Sequence, residues 1–176
     1  MVFTHDTDFA LQAAVRLANS AEPPDTLTTV ADLDAVWDDF GYTGRRDGTR
    51  AELDAVRAVR PRLRELLIAD RDRAVELVNL MLSEAQAVPQ LRRHDGFDWH
   101  IHAIDARAPL DTRILVETAM AMIDVIRADE MSRLAVCADY TCSSVVLDLS
   151  RNRSKRFCST TCGNRNAVAA YRARQR

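Results

Sequence analysis

Hydrophobic residues recur at helical spacing through most of the first 130 residues. Four such stretches precede residue 90, and each predicts an amphipathic helix. Thr29 with Asp32 is placed to cap the second helix, and Thr49 with Glu52 forms a capping box for the third. The apolar positions of the four helices are Phe9, Ala13, Ala14 and Leu17; Val30, Leu33, Val36, Trp37 and Phe40; Leu53, Val56, Leu63, Leu66 and Leu67; and Val75, Val78, Leu82 and Ala85.

Pro61 lies inside the third helical pattern. A proline in a helix interior has no N–H to donate and its ring clashes with the preceding turn. We therefore expect the third helix to be kinked or split at this residue.

A fifth and longer helix is predicted after Pro109 and Asp111. Its pattern continues almost to Cys137, so it is expected to join the helical body rigidly to whatever follows. The residues expected on its buried side are Ile114, Leu115, Thr118, Met122, Val125, Ile126 and Leu134.

One segment between the fourth and fifth helices changes to strand spacing. In FDWHIHAI, Phe97, Trp99 and Ile101 alternate with polar residues, and Asp95-Gly96 lies just before them. With LRRH on the other side of that turn, the segment predicts a β-hairpin, and Phe97 and Trp99, like Trp37, are expected in the core.

Three histidines, His94, His100 and His102, lie in this predicted hairpin, and the last two share a strand face. A second metal site or a pH switch is one interpretation of the cluster. Exposed strand histidines usually serve neither purpose, so the role of the cluster is left open.

Composition places the chain among ordinary folded proteins. Its 176 residues are 47% hydrophobic and 28% charged, which suits one mid-sized domain with a small module. No apolar run approaches the roughly 20 residues of a membrane span, and the N-terminus has no secretory pattern. A cytoplasmic protein with no membrane partner is therefore expected.

The net charge of −2 is unevenly distributed. Residues 137–176 contain eight basic and two acidic side chains, a net +6, so the rest of the chain carries −8. An acidic body with a basic tail suggests that the tail meets a polyanion.

All four cysteines of the chain lie in this basic tail, in the pattern C-x4-C-x15-C-x3-C: Cys137, Cys142, Cys158 and Cys162. Two close pairs of thiols are typical of a four-thiolate zinc site, and a reducing compartment disfavours disulfides. Four protein ligands close the coordination shell, so one structural rather than catalytic Zn²⁺ is predicted.

The order of elements around the cysteines predicts the layout of a treble-clef zinc finger. The first pair brackets a tight turn, SVVLDL has strand character, Arg151–Ser154 forms a turn, and KRF returns to Cys158. Cys158 and Cys162 are then placed on one face of the first turn of a helix, with Val168 and Tyr171 packing on the hairpin.

Basic residues on the hairpin turn and helix are the candidate contacts to nucleic acid. Phosphates need only cations along the surface, while arginine can also read guanine, a role for which Arg165 or Arg172 is best placed. Some arginines are expected instead to balance the zinc-thiolate charge or to pair with the acidic body, and Asn164 to order the helix start or touch adenine. The candidate DNA contacts are Arg151, Arg153, Lys155, Arg156, Asn164, Arg165, Arg172 and Arg176.

Residues 162–165 spell CGNR, and Arg133–Arg176 resembles the CGNR zinc-finger family of bacterial proteins. The preceding body, with AVRLANS, ADLDAVW and the long helix before the first cysteine, resembles the ABATE domain, proposed to be a stress-linked transcription regulator. The resemblance implies a DNA-binding regulator with an ABATE-like domain over residues 1–132 and a CGNR zinc finger over residues 133–176.

The predicted fold class is α+β: a mostly helical N-terminal domain with a small β-hairpin, followed by a treble-clef-like zinc finger. No catalytic motif is visible in the sequence, so an enzyme is not expected. The alternatives are a zinc-finger adaptor for RNA or a protein partner, and a small-molecule-sensing body with an accessory zinc tail. Dimerisation and the effector are left open, and a body core that folds without the metal is expected.

Overall fold

The computed structural model describes residues 3–93 and 98–175. Within these ranges the chain is mostly helical, with two small antiparallel hairpins, as predicted. The elements are α1 (His5–Asn19), α2 (Val30–Asp39), α3 (Arg50–Ile68), α4 (Arg71–Glu84), β1 (Gln90–Arg92), β2 (His100–His102), α5 (Leu110–Arg127), a 3₁₀ turn (Met131–Arg133), β3 (Leu134–Val136), β4 (Val145–Leu147) and α6 (Thr160–Arg174).

The body is built around α5, which packs against α1, α3 and α4. Apolar residues spaced at helical intervals meet in one core, where burial of each large side chain contributes about 1.5–3 kcal/mol. Fully buried examples are Leu11, Leu17, Leu63, Ile114 and Met122. The buried face of α4 differs from the predicted one, because Ala74 and Leu77 are buried while Val75 is exposed. None of the described helices is both long and apolar enough to cross a bilayer.

The starts of α2 and α3 are capped by the threonines that the sequence indicates. Thr29 and Asp32 form a complete capping box, in which each side chain accepts from the other residue's backbone N–H. The Thr49 hydroxyl accepts from the N–H of Glu52, 3.2 Å away. The Glu52 carboxylate, however, accepts from the backbone N–H groups of Asp47 and Gly48 and not from that of Thr49. The capping box predicted for α3 is therefore only half formed.

α3 runs unbroken through Pro61, so the helix is not split there, and the predicted kink stays a prediction. Pro61 cannot donate to the carbonyl of Arg57, one turn earlier. The side chain of Arg60 donates to that carbonyl instead, at 3.3 Å, and is itself held by both carboxylate oxygens of Asp25 at 2.9 Å. A side chain thus replaces the hydrogen bond that the proline removes.

The predicted hairpin after α4 is confirmed: β1 pairs antiparallel with β2, with Leu91 opposite Ile101. Trp99 is 63% exposed, so its predicted place in the core is wrong, whereas Trp37 packs against the core. The two-stranded sheet leaves the face that carries Leu91, Trp99 and Ile101 exposed. His94, the predicted Asp95-Gly96 turn and Phe97 lie outside the described residues.

α5 buries six of the positions predicted for it, but it ends at Arg127, well short of Cys137. Asp129 adopts a left-handed conformation with φ +57° and donates to the carbonyl of Ile126. Glu130 donates to the carbonyl of Val125 at 2.9 Å, which completes a Schellman motif. The predicted continuous helix to the first cysteine is wrong, because the chain turns here into the 3₁₀ turn and β3.

The second hairpin packs into the body. β3 pairs antiparallel with β4, with Val136 opposite Val145. Val145 and Leu147 are 1% and 5% exposed and belong to the same hydrophobic core as the helices of the body. Two residues that follow Cys142 therefore form part of the body core, and folding of the body without the metal stays a prediction.

Candidate functional site

The first cysteine pair lies in the turn that joins β3 to β4. Cys137 donates its N–H to the carbonyl of Ser144 at 2.8 Å, and Cys142 donates to the carbonyl of Asp139 at 2.9 Å. These two bonds close the turn and aim both sulfurs toward one centre.

Asp139 braces this turn from inside and is only 1% exposed. Its carboxylate accepts from the N–H and the hydroxyl of Thr141, at 2.9 and 2.7 Å, and from Arg165 of α6 at 3.0 Å. The hydrogen bonds from Thr141, aided by the charge of Arg165, lower the pKa of Asp139 below its usual value. The carboxylate therefore stays ionised and ties the first cysteine pair to the helix of the second.

The second pair lies where α6 begins. Ser159 caps the helix by accepting from the N–H of Cys162 at 3.2 Å, which places Cys162 in the first turn. Cys158 precedes the cap, so the prediction that both cysteines lie on the helix is wrong for Cys158. The two sulfurs are nonetheless 3.7 Å apart.

All four sulfurs lie within 4.8 Å of one another. The Sγ atoms of Cys142 and Cys158 are 3.6 Å apart. Tetrahedral zinc with Zn–S bonds of about 2.3 Å separates its sulfurs by about 3.8 Å. None of the four cysteines forms a disulfide. The cluster therefore fits one zinc ion held by Cys137, Cys142, Cys158 and Cys162, as predicted.

The thiols of the cluster have different acidities. Hydrogen bonding with the Ser144 hydroxyl lowers the pKa of Cys142 to about 7. Burial, followed by hydrogen bonding with Cys142, raises the pKa of Cys158 to about 12. Four thiolates this close repel one another, so a divalent cation is needed to keep all of them ionised at neutral pH.

The chain between the two pairs differs from the prediction. SVVLDL does contain strand β4, but the partner of β4 is β3 and not the KRF segment. The Asp148 carboxylate accepts from the N–H of Lys155 at 2.6 Å, and the carbonyl of Arg156 accepts from the N–H of Ala138 at 2.9 Å. The buried Asp148 side chain and one backbone bond hold the return segment without a β-ladder. The treble-clef assignment stays a prediction.

The structure divides the candidate DNA contacts into two groups. Arg153 and Arg165 are engaged with the protein itself: Arg153 pairs with Glu130 at 2.7 Å and Arg165 with Asp139. The rest of the described candidates are exposed and their side chains form no ion pair with described residues; they are Arg151, Lys155, Arg156, Asn164 and Arg172. Arg176 lies outside the described residues.

α6 projects from the zinc site. Cys162 is the one buried residue of this helix, and Val168 and Tyr171 are exposed. The expectation that these two residues pack on the hairpin is therefore wrong. Arg172 and the neighbouring Arg174 extend beyond them in the last turn.

Sequence reasoning missed the residues that support the cysteines: Asp139, Ser144 and Ser159. Ser159 carries a usable signal, because a serine three residues before Cys162 matches helix-cap spacing. Asp139 and Ser144 carry none, since their roles depend on partners that only the folded turn brings together.

His100 and His102 share a strand face, as predicted, and their Nε2 atoms are 2.8 Å apart. The carbonyl of Asp98 lies 2.7 Å from Nδ1 of His100. Within the described residues, no third potential metal ligand joins them. His94 falls outside those residues, so the predicted three-histidine cluster is described only in part.

Two family models match the chain. The model of the CGNR zinc finger matches residues 133–175, the segment that carries all four cysteines. The model of the ABATE family, described as "Putative stress-induced transcription regulator", matches residues 11–129, well over half of the chain. A search of curated proteins found no match to the chain. The chain belongs to the ABATE family, and a CGNR zinc finger follows its ABATE domain.

Proposed function

We propose that the protein is a DNA-binding transcription regulator in which the zinc module contacts DNA and the ABATE body receives the regulatory signal. The observation that carries this proposal is a set of exposed basic side chains, paired with none of the described acidic residues, beside a four-thiolate metal site. Membership of a family described as transcription regulators supports it.

The zinc ion has a structural role in this proposal. Four protein thiolates leave no open coordination position for a substrate or an activated water. The metal instead fixes the start of α6 and the loop that leads into Cys158, the two segments that carry the basic residues.

Arg151, Lys155 and Arg156 form the phosphate-contacting part of the proposed interface. They are exposed on a loop that buried Asp148 holds in place through the N–H of Lys155. Cations on a fixed loop can neutralise phosphates and release counterions without ordering the loop first. The acidic body would be repelled by DNA, which confines contact to the zinc module.

α6 is the proposed base-reading element. An exposed α-helix fits the width of the major groove, and the alanines at positions 167, 169 and 170 allow close approach. The guanidinium of Arg172 on this helix is exposed and forms no ion pair within residues 3–93 and 98–175, and the amide of Asn164 is exposed. Arg165 already binds Asp139, so Arg172 is the better candidate to contact a guanine.

Fluorescence anisotropy with a labelled DNA duplex tests the proposal. Affinity should fall steeply with salt, and the variant with both Arg151→Ala and Arg156→Ala should bind more weakly, with a log–log salt slope flatter by roughly two. Arg107→Ala, an exposed arginine of the body paired with Asp105, removes one positive charge elsewhere and should leave DNA binding unchanged. No binding of the parent protein to a mixed-sequence duplex pool at low salt would contradict the proposal.

A protein-binding adaptor is the second candidate. Tyr140, at the tip of the first cysteine turn, is 89% exposed, and Val168 and Tyr171 are exposed on α6. Large apolar side chains in such positions suit a protein partner. An adaptor of this kind would show weak salt dependence and would be disrupted by Tyr140→Ala but not by the arginine substitutions.

A further inference from the structure

The last residue of α1 holds the strand that follows Cys142. The side-chain amide of Asn19 donates to the carbonyl of Val145 at 2.8 Å and accepts from the N–H of the same residue at 2.7 Å. The amide therefore pairs with β4 as a neighbouring strand would. Asn19 lies in the ABATE domain, far in sequence from the cysteines.

Two more side chains of the ABATE domain hold the residue between Cys142 and this strand. Arg64 of α3 donates to the carbonyl of Ser143 at 2.5 Å, and the Ser143 hydroxyl donates to Glu22. Arg64 and Glu22 are themselves paired at 3.3 Å. The backbone leaving Cys142 is thus fixed by residues of α1, α3 and the loop after α1.

We infer that the zinc site and the ABATE body form one linked unit, in which Asn19 is a positioning residue for the metal. Residues 143–145 set the position of Cys142, and through Ser144 they also hold the backbone N–H of Cys137. The body therefore preorganises half of the ligand set. By linkage, the metal must stabilise the body to the same extent that the body improves metal binding.

This inference is independent of DNA binding. It concerns contacts that side chains of the ABATE domain make with the zinc finger, and it predicts that loss of the metal destabilises the helical body. Burial of Val145 and Leu147 in the body core provides the physical connection.

Zinc affinity of the full chain, measured by competition with a chromophoric chelator, tests the role of Asn19. Asn19→Ala should weaken binding roughly tenfold, the lower range for loss of a supporting group around a metal site. Asn19→Asp keeps the acceptor for the Val145 N–H but places a carboxylate oxygen against the Val145 carbonyl, so it should weaken binding as well. Asn79→Ala, an exposed asparagine of α4, is the matched control. Equal affinities for Asn19→Ala and the control would overturn the inference.

Cobalt-substituted protein provides a second readout that does not depend on a variant. Both tryptophans, Trp37 and Trp99, lie in the ABATE domain, so their fluorescence follows the body while cobalt–thiolate absorption follows the metal site. Linked unfolding predicts that both signals change at the same urea concentration, and that metal raises the midpoint of the fluorescence transition. A fluorescence midpoint unmoved by metal would contradict the inference.

Discussion

The basic residues of the C-terminal segment have different roles although they look alike in sequence. Arg165, within the CGNR motif, binds buried Asp139, which lies 26 residues earlier. Arg153 binds Glu130, while Arg151 and Arg156 stay exposed. Periodicity and composition identify the basic segment but not these pairings, because the acidic partners are brought in only by the fold.

Replacing Arg165 tests its role as a brace of the zinc site. Arg165→Ala removes one of the partners of the Asp139 carboxylate, so the free energy of unfolding should fall by about 1 kcal/mol, a modest value because the guanidinium is half-exposed. Zinc affinity should fall with it, as chelator competition would show. Arg172→Ala on the same helix should leave both quantities unchanged; equal effects of the two substitutions would contradict the assignment.

The ionised form of Glu117 in α5 destabilises the folded protein. Burial raises its pKa to about 7, although the charge of Arg113 acts in the opposite direction. A carboxyl group with a raised pKa in the folded state favours folding when protonated, so its contribution is complete at acidic pH and is lost as the pH rises through 7.

Glu117→Gln should remove this pH dependence. Between pH 5 and 8 the free energy of unfolding should fall by about 2 kcal/mol less in the variant than in the parent protein. One pKa unit corresponds to about 1.4 kcal/mol, and the full value is reduced because the partly buried side chain retains some water. Urea denaturation at several pH values measures the difference, with exposed Asp38→Asn as the control. Parallel curves for Glu117→Gln and the parent would contradict this assignment.

The secondary-structure elements follow from the sequence more reliably than their ends do. Hydrophobic periodicity located the helices of the body, and alternation located the first hairpin. The path through Pro61 could not be predicted, because it depends on Arg60 reaching the carbonyl of Arg57 and on Asp25 from another segment. The end of α5 was missed because Asp129, rather than a glycine, takes the left-handed position.

Arg60→Ala should destabilise the body by about 2–3 kcal/mol, because the substitution leaves Asp25 without its bidentate partner and the Arg57 carbonyl unsatisfied inside α3. Arg62→Ala, two residues along the same helix, removes only a surface ion pair with Glu84 and should cost less than about 1 kcal/mol. Chemical denaturation distinguishes the two; similar losses would rule out the proposed replacement of the proline hydrogen bond.

α6 should depend on the metal for its helical structure. Its 15 residues bury only Cys162, and helices of this length are marginal without tertiary packing. Removal of zinc with a chelator should therefore lower the helical circular dichroism signal. A truncated protein ending at Asn166 keeps all four cysteines but lacks most of α6, so it provides the control. Its signal should fall less on chelation, and equal falls would show that α6 does not need the metal.

At the scale of the whole molecule, the sequence predicted an acidic helical body followed by a basic zinc module. The structure retains both but joins them: β4 lies in the core of the body, and Asn19 pairs with it. This joint could not be predicted, because Val145 and Leu147 look like residues of a local hairpin until the groove beside α1 is known. The hairpin that carries the first cysteine pair is therefore packed against the body.

Hydrogen–deuterium exchange of the zinc-loaded protein with and without a DNA duplex pool tests the central claim most directly. DNA contact through the zinc module predicts slower exchange in residues 151–157 and in α6, and no change in the β1–β2 hairpin or α4. Protection confined to the helical body, or no protection anywhere at low salt, would contradict the account.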